Sequence, residues 1–396
     1  MYSSKILLNQ QQIEAINWRN LQKEGTGLIS ICEIESILPE QLEALLKAEK
    51  LPREPRYDKD GNLYGESFYA ALNGRIAAVA EQKNCGVRYG VAIDNTFLRL
   101  FPTMAGSYRF DELGELDRFA VTLIKLGEPL IIYCQDESGV WSFVQSQQAY
   151  GWILTAHLAW EEQHSRWRQY CCDREQLLVA DSRRILEYVD FNGCLQNQLL
   201  LMGTKLPLYD ANCHTFVIGI PFRDCRGNLA ILQTMVQRDG GFIPGPLPLS
   251  AQNIISQAKK TLGEPYGWGG SGYYRDCSSL IGDVFSVFGL LFPRNSREQM
   301  QMVGTEQCPG NRDQKYAFIA NLPAGSVLYF PGHAMLYLGR RRNQLEILHS
   351  VYAIGLPAQQ EVIPHKIKRV VQGNLQQRRV NGEQLLDAVT ACWIPR

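Results

Sequence analysis

The stretch Tyr266–Phe288 (YGWGGSGYYRDCSSLIGDVFSVF) constrains this chain most, because a glycine-rich aromatic loop turns there abruptly into a helix. From Cys277 the apolar residues fall at Leu280, Ile281, Val284, Phe285 and Phe288, one stripe of an α-helix facing a core. Asp276 suits an N-cap and Gly289 a helix stop. Cys277 therefore lies in the first turn, where unpaired N–H groups and the positive end of the dipole favour a thiolate. The plainer reading is a small buried thiol at the top of a core helix, so a nucleophile needs partners elsewhere in the chain.

A cysteine nucleophile needs a histidine base and a third group to orient it. Of the six histidines, only His333, His349 and His365 follow Cys277. The runs Ser326–Phe330, His333–Gly339 and Leu345–Val351 read as strands, the last two joined by the polar connection RRRNQ. With the turn centred near Arg342, His333 faces Val351 and His349 is its diagonal neighbour on the same face. A shift of one residue would part them. His365 lies in an irregular basic segment and reads as a surface residue, and His157, His164 and His214 receive no role.

At 396 residues the chain calls for about two to four domains. Residues 1–84 read as mainly helical, with helices over Ser36–Leu46 and Ser67–Val79. The turn Asp58–Asn62 opens like a calcium loop but lacks its later glycine and glutamate. Residues 85–160 carry five short strand-like runs, at 96–100, 119–126, 130–134, 140–144 and 151–154, the pattern of a small barrel. A second strand-rich stretch, 161–245, ends in the stiff linker Gly240–Ser250, and the last domain spans 246–396.

Lys+Arg and Asp+Glu each total 40, so no basic excess points to nucleic acid. No apolar run is long enough to span a membrane. Eleven irregularly spaced cysteines without a C-x-x-C form no disulfide framework and favour a reducing compartment. Cys213, His214 and Cys225 lack a second ligand pair at zinc spacing, so neither metal nor cofactor is expected. Residues 267–272 satisfy G-x-G-x-x-G, but no strand precedes them and Trp268 would crowd a pyrophosphate. The glycines are expected to let the backbone wrap a peptide.

The blocks PYGWGG, DCSSLIGDVFSVFGLLFPRNSREQM, LPAGSVLYFPGHAMLYLG and ILHSV resemble, in order, the NlpC/P60 family of papain-like cysteine peptidases. LRLFPT, GEPLIIY, SGVWSFVQS and YGWI resemble bacterial SH3-like domains, and GTKLPLYD suggests a second, divergent copy. The fold class expected is α+β and multidomain: two small SH3-like barrels and a helical N-terminal segment before a papain-like domain. The resemblance implies a thiol endopeptidase acting on the γ-D-glutamyl–diamino-acid bond of peptidoglycan stem peptides. It makes Cys277 the nucleophile, His333 the base and His349 its orienting partner. Tyr266 would line the oxyanion site, Asp276 and Ser278 would bind the free amine of L-alanine, and Tyr150 would close the pocket from the first barrel. Two departures stand out: Ser279 replaces the usual glycine after D-C-S, and Pro323-Ala324-Gly325-Ser326 replaces P-G-D. An inactive wall-binding protein and an amidase or acyl transferase on another amide are the alternatives. The cysteines and the N-terminal sequence favour a cytoplasmic recycling enzyme, although a removed leader or a delivered effector would read alike. The oligomeric state is open.

Overall fold

The computed structural model describes residues 2–48, 52–80, 86–358 and 361–396. Three helices open the chain, Gln10–Gln22, Pro39–Leu46 and Glu66–Ala80. They do not form one unit. Ile13 and Ile16 of the first pack into the core of the C-terminal domain, whereas Leu42, Leu46, Leu72, Ile76 and Val79 pack onto the first barrel. A strand absent from the sequence reading, Ile6–Leu8, pairs with Leu249–Ser250 at the entry to that domain. Asn17 then fixes the loop after the Cys277 helix, donating to the Gly289 carbonyl at 2.7 Å and accepting from the Leu291 N–H at 2.9 Å.

The five strands expected in the first barrel are present, and Arg88–Ala92 and Leu158–Glu161 extend the sheet to seven. The second barrel has the antiparallel order Leu229–Gln237, Thr215–Arg223, Lys205–Ala211, Gln176–Val179, Phe242–Pro244, with a separate hairpin Arg183–Val189/Leu195–Leu201. Residues 242–244, expected to be linker, close this sheet by pairing with Leu177–Val179. Proline is tolerated there because the strand lies at the edge.

The C-terminal domain packs helices Ala251–Lys259 and Cys277–Ser286 on a six-stranded antiparallel sheet. Its order is Thr305–Gln307, Ala391–Trp393, Val327–Phe330, His333–Arg341, Gln344–Ala358, Glu361–Asn374. Leu280, Ile281, Val284 and Phe285 bury the predicted stripe against Val327, Leu336 and Leu348. His365, expected in irregular chain, lies in the last of these strands and is exposed, as a surface residue should be. Where P-G-D is missing, Ser326 closes the turn by donating both its hydroxyl and its N–H to the Pro323 carbonyl.

Candidate active site

The nucleophile helix starts at Cys277 because Asp276 caps it: its Oδ1 accepts from the Ser279 N–H at 2.9 Å. Ser279 returns the bond, its Oγ accepting from the Asp276 N–H at 3.0 Å. The residue that departs from D-C-S-G thus completes a capping box.

Asp276 is only 5% exposed, and five donors crowd its oxygens. Besides Ser279 N–H, Oδ1 accepts from Ser278 Oγ at 3.2 Å and Arg294 Nη1 at 3.3 Å. Oδ2 accepts from Arg294 Nη2 at 2.6 Å and the Gly269 N–H at 3.3 Å. Burial alone would raise the carboxyl pKa, but the Arg294 guanidinium overcomes it and holds Asp276 ionised. Arg294 also donates to Ser278 Oγ and, from Nε, to Thr122 Oγ1 in the first barrel at 2.7 Å. Gln299 donates to the Ser278 and Pro293 carbonyls. The PRNSREQ segment therefore braces the nucleophile loop.

The two histidines meet, and a bulge brings them together. The hairpin turns at Arg342–Asn343, both at positive φ, with Arg341 opposite Gln344. That register alone would put His333 opposite residue 352 and on the other face from His349. A one-residue bulge before Gly339 (φ +105°) shifts the pairing to Leu336 opposite Leu348. Continued to the strand end, it restores the diagonal relation, and His333 Nε2 lies 2.9 Å from His349 Nδ1.

Cys277 Sγ lies between the backbone groups flanking His333, 3.9 Å from the Gly332 oxygen and accepting from the Ala334 N–H. His333 commits Nε2 to His349, which leaves Nδ1 to receive a proton. For Nδ1 to be the acceptor, Nε2 must carry the hydrogen and donate to His349 Nδ1. His349 then carries its own proton on Nε2, a buried atom with no partner among the described residues.

Burial and the Asp276 charge oppose the thiolate that the helix dipole favours. Burial and then the Asp276 charge push the Cys277 thiol up to about 12. Burial pulls His333 down to about 4 and His349 well below the usual range. Desolvation outweighs a half-charge at a helix end.

Tyr266 stands at the site mouth, edge-on to Tyr352 with centroids 5.9 Å apart. Burial first, then Cys277 and Asp276, raise its phenol far above 10, so it remains an O–H donor. Tyr150 packs edge-on against Phe143, at the side of the first barrel's core cluster. The first barrel reaches the site through residues the sequence reading passed over. The Arg118 guanidinium sits 4.5 Å from the centroid of Trp268, and its charge acts on Tyr266. Glu115 accepts from Tyr352 and, at 2.7 Å, from Lys368. Neither Arg118 nor Glu115 belongs to a motif, so only spatial proximity reveals them.

Two of the loop glycines have a packing role. A Cβ on Gly269 would lie 2.7 Å from Ala120 Cβ, and one on Gly270 2.5 Å from Leu123 Cβ. They dock the loop onto the first barrel, and both have positive φ. Behind the helix, a cavity of about 180 Å³ between the barrels is lined by Lys125, Asp283 and Arg294, and neither Cys277 nor His333 borders it.

A thiol at a helix start, beside the strand that carries His333 of the His333–His349 pair, is the layout of a papain-like domain. Residues 263–378 match the NlpC/P60 family and residues 103–154 the SH3 domain of the SH3b1 type, so the chain carries an NlpC/P60 domain and an SH3 domain. Dipeptidyl-peptidase 6 of Lysinibacillus sphaericus is 32% identical over 90 residues, a match spanning 22% of this chain and 30% of that protein's length. An NlpC/P60 endopeptidase from Photobacterium damselae subsp. piscicida shares the fold over 99% of this chain and 94% of its own, with TM-score 0.79 and 17% identity. An NlpC/P60 family protein from Bacillus cereus ATCC 10987 aligns over 78% of this chain and all of its own, with TM-score 0.50 and 17% identity.

Proposed function

We propose that this protein is a thiol endopeptidase that hydrolyses the γ-D-glutamyl–diamino-acid bond of peptidoglycan stem peptides. The observation that carries the reading is the 2.9 Å His333–His349 contact beside a capped, buried Cys277. As Cys277 Sγ attacks the γ-carbonyl, its proton passes to His333 Nδ1, and the C–N bond breaks as that proton moves to the leaving amine. Water then releases the acyl group. The protonated Tyr266 phenol supplies a donor for the oxyanion. The intact cysteine–histidine set favours this over an inactive wall-binding protein.

Recognition of a free L-alanine amine by Asp276 and Ser278 belongs to the same proposal. The carboxylate can meet an amine by releasing a weak donor, the Gly269 N–H or Arg294 Nη1, both at 3.3 Å. A cytoplasmic recycling role is the setting that suits such a free amine.

Incubation with L-Ala-γ-D-Glu-diaminopimelate should release L-Ala-D-Glu, and Cys277→Ala should abolish release. Acetylating the alanine amine should slow the wild-type reaction. Cleavage by Cys277→Ala at the parent rate overturns the mechanism, and turnover confined to other amides in a substrate panel supports the amidase alternative.

A further inference from the structure

Outside the catalytic group, three cysteines converge. Cys32 lies in the short turn Ile31–Glu33, and Cys171 and Cys172 lie in the π-helical turn Gln169–Asp173 that follows Trp167. Their sulfurs all fall within 4.8 Å of one another, with Cys171 and Cys172 Sγ 3.5 Å apart. The structure pairs Cys32 and Cys172 as a disulfide, against the expectation of none, yet their Cα atoms stand 7.7 Å apart. A disulfide spans about 4.4–6.8 Å between Cα atoms, and a wider pair cannot be bridged without moving the backbone. A cation between thiolates relaxes that limit, since metal–sulfur bonds of about 2.3 Å set tetrahedral sulfurs about 3.8 Å apart.

The thiols are also held in place from behind. Ile31 beside Cys32, and Trp167 and Tyr170 before Cys171, are all buried in the first barrel's core cluster. Trp167 Nε1 donates to the Gly90 carbonyl at 2.8 Å. His164 and Glu35, 3.5 Å apart, join the same two segments a second time. The π-turn matters as well, because such turns are concentrated at functional sites, and here it sets two adjacent cysteines toward one point.

We propose that Cys32, Cys171 and Cys172 bind one zinc ion that staples the N-terminal segment to the first barrel. Three thiolates fill three corners of a tetrahedron, and water or one further side chain fills the fourth. The role is structural, because its ligands join two segments distant in sequence and none of them belongs to the Cys277–His333–His349 group.

The test is metal analysis of the full chain purified under reducing conditions without added chelator. It should carry about one zinc per chain, and cobalt exchanged for zinc should give a thiolate-to-metal charge-transfer band. Cys32→Ser, Cys171→Ser and Cys172→Ser should each lose the zinc and the band. Cys194→Ser and Cys213→Ser, at exposed positions elsewhere, should keep both. Near-ultraviolet circular dichroism of each variant separates loss of metal from loss of fold. Reduced wild-type protein that takes up no zinc in competition with a chromophoric chelator overturns the proposal. So does retention of zinc by the three serine variants, or a Cys32–Cys172 cross-linked peptide recovered stoichiometrically from freshly purified protein.

Discussion

The raised Cys277 thiol makes a prediction that alkylation kinetics can decide. With its thiol at about 12 instead of the ordinary 9.0, Cys277 holds about a thousandfold less thiolate at neutral pH than an unperturbed cysteine. At pH 7 that is roughly one molecule in 10⁵. His333, at about 4, is almost entirely unprotonated there, so an imidazole base awaits but no ion pair has formed. Thiolate should therefore appear as substrate enters, when proton transfer and attack proceed together. The assay is iodoacetamide labelling of the free enzyme from pH 5 to 10, with the Cys277 peptide quantified by mass spectrometry so that the other cysteines do not interfere. Labelling at pH 7 should be slow and should rise about tenfold per pH unit with no plateau in that range. A plateau with a midpoint below pH 8, or neutral-pH labelling as fast as that of free cysteine, would refute the reasoning and restore a preformed thiolate–imidazolium pair.

Further outcomes follow from the same contacts. His349→Asn, which can keep an acceptor toward His333 Nε2, should retain more activity than His349→Ala, whose kcat should fall by at least about a hundredfold with little change in KM. Both histidines are kept neutral by burial, so their stabilising effect is complete above pH about 6.5 and is lost as pH falls toward 4. The urea midpoint should drop over that window, and less so in His349→Asn. Arg294→Ala leaves the Asp276 carboxylate buried and unpaired, at a cost of about 3–5 kcal/mol by chemical denaturation, and Asp276→Asn in the same chain should recover part of it. Gly270→Ala forces the loop off the first barrel, and its thermal midpoint should fall by several degrees, far more than for Gly282→Ala, whose added Cβ meets nothing within 4 Å.

The sequence by itself determined the local devices: the Cys277 stripe, the Asp276 cap and the strands of the first barrel. Period and capping are short-range properties, written within a few residues of where they act. The tertiary structure decided what depends on non-local approach. It split the N-terminal helices between two cores and gave the loop glycines a docking role against Ala120 and Leu123. It also reached the diagonal His333–His349 relation through a bulge that no composition announces. It set the surroundings of Cys277 as well, because the dipole can be read from helix position whereas the desolvation and the Asp276 charge that push the thiol up exist only once the chain has closed around it.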